Sequence, residues 1–241
     1  MHGHRRRSRR GGTTLAAASL VVAAAVALGA TAGVGVRADE LRGRVELRGK
    51  NDKPLAAAEA QHGVAWFVPD AGVAAPRPGT FTLSTRDKQF EPRVLPITAG
   101  STVRFPNADP ILHNVFSVSP PQPFDVGLYG PGEGREQRFD EPGLVRVFCN
   151  VHHEMVAYLV VLETPYFARP SADGSFVLEG LPAGPGRLVV WQERAEAWER
   201  ELTLPLAEPV TATLQVTRRR VPRHLDKSGK PYERPGGERY E

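Results

Sequence analysis

Short apolar stretches, many alternating with polar residues and set off by Gly- and Pro-containing turns, recur along most of the chain. Arg44-Val45-Glu46-Leu47 and Gly63-Val64-Ala65-Trp66-Phe67-Val68 predict two strands on either side of a polar turn at residues 49–54. A Pro/Gly joint, Ala75-Pro76-Arg77-Pro78-Gly79, follows them. Further strands are predicted over residues 80–84, 94–97, 101–105, 143–149 and 156–162, with Ala99-Gly100 as an evident turn. The two-residue period of a strand puts Val145, Val147 and Cys149 on one face. Residues 156–162 lack polar alternation after Tyr158, the pattern of a strand buried on both faces. Past Thr164, Asp173-Gly174-Ser175-Phe176-Val177-Leu178, Arg187-Leu188-Val189-Val190-Trp191, and residues 200–204 and 210–216 predict a last group of strands. Residues 192–201, rich in Glu, Ala and Arg, leave a helical turn open. The expected fold class is all-β.

Composition supports that class. Hydrophobic residues make up 41% of 241, enough for a packed core, and the 24 Gly and 22 Pro argue against a helical bundle. The N-terminal residues break the strand pattern. A basic stretch at residues 5–10 precedes an uncharged Ala/Val/Leu-rich run at 15–30, the order of an export signal, with small residues offering cleavage after Ala32 or Ala38. Ser8-Arg9-Arg10 is compatible with a twin-arginine signal. An uncleaved membrane anchor competes with this reading, because residues 11–36 carry no charge. Their Gly and Ala content makes the run weakly hydrophobic, which favours cleavage and no stable membrane insertion afterwards.

The formal charge of +4 comes from the ends. Residues 39–217 hold 17 bases and 23 acids, a net of −6, so the basicity is no nucleic-acid footprint and no nucleic acid is expected as a partner.

One Cys excludes an internal disulfide framework and a Cys-rich zinc knuckle. That Cys, the one Met besides the initiator, and three of the five His beyond the leader all fall in the central segment. They lie in Cys149-Asn150-Val151-His152-His153-Glu154-Met155, with His113 upstream. A thiolate, two imidazoles and a thioether suit the trigonal Cys/His/His copper site with a weak axial Met, and suit oxygen-seeking ions poorly. Zinc on Cys/His/His is the inorganic alternative. Cys149 ends one predicted strand and residue 156 begins the next, so Cys149, His152 and Met155 can close around one point. His113 is expected to join them from a neighbouring loop, after the turn Pro106-Asn107-Ala108-Asp109-Pro110. His62 and His224 are read as structural or solvated.

Residues 80–162 resemble a cupredoxin, a small blue copper protein, through Phe90-Glu91-Pro92, Gly100-Ser101-Thr102-Val103-Arg104-Phe105, His113-Asn114-Val115 and Phe148-Cys149-Asn150-Val151-His152. The resemblance implies a Greek-key sandwich holding type 1 copper, with His113, Cys149 and His152 as equatorial ligands and Met155 axial. It also implies that Asn114 sits behind the ligands and ties the two ligand loops together. The Cys-x-x-His-x-x-Met loop is similar to that of amicyanin. His153 stands where that loop usually has Pro, which leaves His152 and His153 both open as the second imidazole.

A second resemblance links Gly43-Arg44-Val45, Lys53-Pro54-Leu55, Asp173-Gly174-Ser175-Phe176 and Leu181-Pro182-Ala183-Gly184 to the transthyretin-like, carboxypeptidase-regulatory β-sandwich. In that family the first two strands directly precede the Asp-Gly-x-Phe hairpin, whereas about ninety residues intervene here. The expected organisation is a signal peptide over 1–38, the first part of this small sandwich over 39–75, an inserted cupredoxin domain over 76–163, the second part over 164–217, and a disordered charged tail over 218–241.

These readings lead to an exported, periplasmic protein that carries single electrons between redox partners such as a cytochrome or a dehydrogenase, and is not itself an enzyme. His152 is the expected electron port, with Pro110, Ile111, Leu112 and Val151 as a docking patch. A self-contained copper oxidase or nitrite reductase needs a second copper centre, typically with His-x-His pairs, and none occurs after the leader. A β-sandwich binding or copper-storage module without redox turnover is the alternative.

Overall fold

The computed structural model describes residues 37–120 and 122–232. The expected export signal, apart from Arg37 and Ala38, lies outside the described residues. No helix among the described residues is long and apolar enough to cross a membrane.

The chain opens with β1 (Arg37–Arg48) and β2 (Gly63–Pro69). There follow β3 (Thr80–Thr82), β4 (Ser84–Arg86), β5 (Gln89–Glu91), β6 (Val94–Thr98) and β7 (Ser101–Asn107). Next come β8 (His113–Ser117), β9 (Phe124–Tyr129), β10 (Gly132–Phe139), β11 (Gly143–Phe148) and β12 (Val156–Leu162). The last strands are β13 (Phe167–Ala168), β14 (Ser175–Pro182), β15 (Gly184–Gln192), β16 (Trp198–Leu204) and β17 (Val210–Gln215). Helix among the described residues is confined to 3-10 turns at Lys50–Asp52 and Ala57–His62. The fold is all-β, as the hydrophobic pattern predicts.

Four sheets form, with strand orders β14-β1-β17, β13-β2-β15-β16, β6-β12-β11-β8-β9 and β10-β7-β4-β5, the last carrying β3 on β7. The first two sheets enclose a core of residues such as Leu41, Phe67, Phe176, Leu188 and Leu214. The other two enclose a second core that includes Val103, Phe105, Phe139, Val147 and Leu159. A third cluster lies between the pairs, where Val64 and Trp191 meet Val94, Phe116, Phe148, Tyr158 and Val160.

β12 shows how the sequence dictates this layering. All seven of its residues are buried. Ala157, Leu159 and Val161 face the second core, while Val156, Tyr158, Val160 and Leu162 face the third. Two-sided burial explains the missing polar alternation.

The Asp-Gly-x-Phe hairpin is fixed by close approach. Gly174 has φ +85°, and a Cβ there would lie 2.5 Å from the Val45 carbonyl oxygen. Val45 N–H in turn donates to the Gly174 carbonyl at 2.8 Å. Across the β1–β14 pair, Gly43 faces Phe176, whose ring occupies the space a side chain at 43 would need.

Several boundaries differ from the sequence reading. β1 takes in Arg37 and Ala38, which pair with Pro182 and Leu181, so the expected signal boundary at 38 falls inside a strand. Cleavage after Ala32 leaves that strand whole. Residues 192–201 form a turn and the start of β16 rather than a helical turn. The tail expected to be disordered is ordered from 218 to Tyr232 and packs on the body, while 233–241 lie outside the described residues. The reason is that its few apolar and aromatic residues find partners there: Val221 packs on the third cluster and Tyr232 is buried.

Candidate metal centre

Cys149 directly follows β11, and Met155 directly precedes β12. The loop between them closes on itself, with Met155 N–H donating to the His152 carbonyl at 3.1 Å and Cys149 N–H donating to the Met155 carbonyl at 3.3 Å. His113 comes from the first position of β8 rather than from a loop. β8 lies beside β11, with Phe116 opposite Phe148.

This pairing brings three donors together. Cys149 Sγ lies 3.8 Å from His113 Nδ1 and 3.8 Å from His152 Nδ1, and the three atoms lie within 4.8 Å of one another. For metal–sulfur and metal–nitrogen bonds of about 2.3 and 2.0–2.1 Å, such a sulfur–nitrogen spacing subtends roughly 120–125°. A trigonal ion fits that angle, and the soft-to-borderline donor set fits copper. Met155 is fully buried in the same apolar cluster as Cys149.

His113 is oriented from behind. Its Nε2–H donates to Asp109 Oδ2 at 2.8 Å, which leaves the Nδ1 lone pair facing the sulfur. Asp109 also accepts from the backbone N–H of Asp87 at 2.7 Å and of Lys88 at 3.0 Å. Burial pushes the Asp109 carboxyl upward, but those N–H groups and the His113 ring outweigh it and hold its pKa below the usual carboxylate range. Asn107 shapes the preceding loop, accepting from Asp109 N–H at 2.9 Å and donating to the Ile111 carbonyl at 2.8 Å. Asp109 belongs to no motif in the sequence. Its position four residues before a ligand candidate, after Asn107, was the available signal.

His152 is partly exposed, and burial lowers its pKa, with His113 and Lys88 adding to the fall and Asp109 opposing it. A lowered pKa favours the neutral ring, the form in which an imidazole can ligate. His153 stacks on His224, ring centroids 4.7 Å apart and 11° from parallel. His224 stacks in turn on Phe148 at 4.0 Å and 15°. Of the two adjacent imidazoles, His152 is the one that joins Cys149 and His113.

Asn114 departs from its expected role. Strand alternation puts it on the face of β8 opposite His113, and its amide donates to Asp125 Oδ1 at 2.6 Å and the Gly127 carbonyl at 2.9 Å, both on β9. The link to the Cys149 loop runs through the tail instead: Lys227 Nζ meets Asp125 Oδ2 at 2.7 Å, and Lys227 N–H donates to Asn150 Oδ1 at 2.9 Å.

No known protein family's sequence profile matches the chain. Among solved structures, the chain is similar to a purple cupredoxin from Nitrosopumilus maritimus, with 24% identity over 34% of this chain and 98% of that one, at a TM-score of 0.30. It is similar to a Cu-containing nitrite reductase from Thermus scotoductus SA-01, with 28% identity over 48% of this chain and 28% of that one, at 0.33. A reduced amicyanin mutant is matched at 22% identity over 40% of this chain and 91% of that one, at 0.32.

Around the donors, Ile111, Leu112 and Val151 are exposed, each within two residues of His113 or His152 in sequence. His62 and His224 stand apart from the three donors.

Proposed function

We propose that the chain is an exported type 1 copper protein that passes single electrons between redox partners. One observation carries the reading: the sulfur of Cys149 stands at equal spacing from two imidazole nitrogens, each 3.8 Å away. His113, Cys149 and His152 would hold the ion, with Met155 as a weak fourth donor. A bound copper ion supplies one-electron exchange. The chain's own residues keep that site from rearranging: Asp109 fixes the His113 ring, and strands β8 and β11 fix the separation of the donors. His152, partly exposed beside Val151, gives partners their approach.

We propose a carrier rather than a self-contained copper enzyme, a reading that rests on the sequence, where no His-x-His pair follows the leader. We also propose that residues 76–163 are a domain inserted into the sandwich built by β1, β2 and β13–β17. The pairing of β1 with β14 and of β2 with β15 across the intervening strands supports this.

The test is copper reconstitution of wild type and Cys149→Ser, followed by visible and EPR spectra. The wild type should show an intense thiolate-to-Cu(II) band that bleaches reversibly on reduction, and Cys149→Ser should lack it. A colourless wild type, or a band that survives in the variant, would sink the proposal.

A further inference from the structure

We infer that residues 224–232 form a strap that belongs to the metal centre, with Tyr232 and Lys227 as positioning residues of the loop 149–155. The inference rests on the metal-centre reading above but concerns bonds present without metal.

The loop has few internal restraints. Among the described residues, its seven residues leave β11 and enter β12 with backbone bonds between His152 and Met155 and between Cys149 and Met155, besides the approach of Cys149 Sγ to His152 Nδ1 at 3.8 Å. A ligand loop so sparsely bonded must be ordered from outside if the donors are to hold their spacing. The tail supplies that order at three points.

Buried Tyr232 donates its hydroxyl to the Cys149 carbonyl at 2.9 Å, so a residue 83 positions away grips the backbone of the sulfur donor itself. Lys227 N–H holds Asn150, the next residue, at 2.9 Å, while Lys227 Nζ anchors to Asp125 on β9 at 2.7 Å. The His224 ring fills the gap between Phe148 and His153, the two residues that flank Cys149-Asn150-Val151-His152, and Tyr232 closes edge-on against both His153 and His224.

The strap is itself stiff. Asp226 Oδ1 accepts from Ser228 N–H at 2.9 Å and Lys230 N–H at 2.8 Å, and Asp226 N–H donates to the Lys230 carbonyl at 2.8 Å. This tight turn fixes the offset between Lys227 and Tyr232, so that both reach the loop together. The strap packs against the His153 ring, and His152 remains partly exposed.

The experiment uses the full chain with Tyr232→Phe, with Asn150→Ala, which removes the acceptor of the Lys227 N–H, and with both together. Tyr232→Phe keeps the ring against His153 and His224 and removes only the hydroxyl, so it reads the bond even if the double variant fails to fold. In copper-free protein, amide hydrogen exchange over residues 149–155 should run roughly fivefold faster for each bond removed, with β7 unchanged. In copper-loaded protein, release to a chelator should quicken roughly 10- to 100-fold in the double variant, with a shifted EPR hyperfine splitting. Unchanged exchange over 149–155 in Tyr232→Phe overturns the strap whatever the metal does. A wild type without the thiolate band, together with accelerated exchange in the variants, overturns the copper reading and leaves the strap standing.

Discussion

Removing Arg93 should be among the most damaging single changes in the molecule, and more so at neutral pH than in acid. Arg93 stands just before β6 and Glu193 just after β15, so their ion pair joins the two pairs of sheets at 2.6 Å. The Glu193 side chain is fully buried and that of Arg93 is 13% exposed. Arg93 also donates to the Val156 carbonyl at 3.3 Å and to the Arg220 carbonyl. Glu193 Oε1 has no hydrogen-bond partner among the described residues, so Arg93→Ala leaves a buried carboxylate with neither oxygen held by that guanidinium. Breaking such a pair from one side costs about 3–5 kcal/mol. With a urea dependence of about 2 kcal/mol/M, the midpoint should fall by roughly 1.5–2.5 M.

Glu193→Gln in the Arg93→Ala background should recover much of this loss, because the uncompensated charge is gone. The pH dependence has a fixed sign. Burial raises the Glu193 pKa above its ordinary 4.5, against the pull of Arg93. The folded chain then holds a proton that the unfolded chain releases, so this group's contribution is most favourable below about 4.5 and declines as pH rises toward the folded value. Loss of Arg93 moves the folded value higher still, so the variant's deficit should be smaller near pH 4, where the bonds to the Val156 and Arg220 carbonyls are the main loss, and full at pH 7. Urea titrations followed by Trp fluorescence at both pH values measure it. A deficit under about 1 kcal/mol at pH 7, or one equal at both pH values, would refute the reasoning.

Other outcomes follow from the same geometry. His152→Ala should abolish the thiolate band on copper addition while His153→Ala keeps it, since of the two it is His152 whose Nδ1 lies 3.8 Å from the sulfur and joins the donor group. Asp109→Ala frees the His113 ring and should weaken copper binding roughly 10- to 100-fold in competition with a chelator, with the fold retained by circular dichroism. Gly174→Ala forces a side chain into positive φ against the Val45 carbonyl and should cost about 1–3 kcal/mol, read as a lowered melting temperature. Tyr129 is buried with a hydroxyl that has no partner among the described residues, so Tyr129→Phe should raise stability by about 1 kcal/mol in urea unfolding.

The strands that sequence revealed were those with apolar residues on a regular period. β12 and β15 declare themselves by continuous apolar runs, and β11 by alternation. β10 escaped notice because its segment Gly132–Phe139 is polar and exposed along nearly its whole length, held by pairing with β7 rather than by burial. β8 hid for a different reason: Pro106 to Pro110 reads as a loop, and nothing local says that His113 begins a strand. The three donors were legible because their residue types are scarce in this chain. Their supporting shell was not. Asp109, Lys227 and Tyr232 sit in no motif, and the bonds of Lys227 and Tyr232 span 77 and 83 positions, a separation no local pattern encodes.

β12 has a practical consequence for anyone who would cut this molecule into pieces. Expressed alone, the segment from Thr80 to Leu162 would turn Val156, Tyr158, Val160 and Leu162 toward water as an oily stripe, an invitation to clumping. Grafting it elsewhere as a portable unit would first require repainting that stripe with polar residues. Left in place, that stripe should make both halves melt in a single transition.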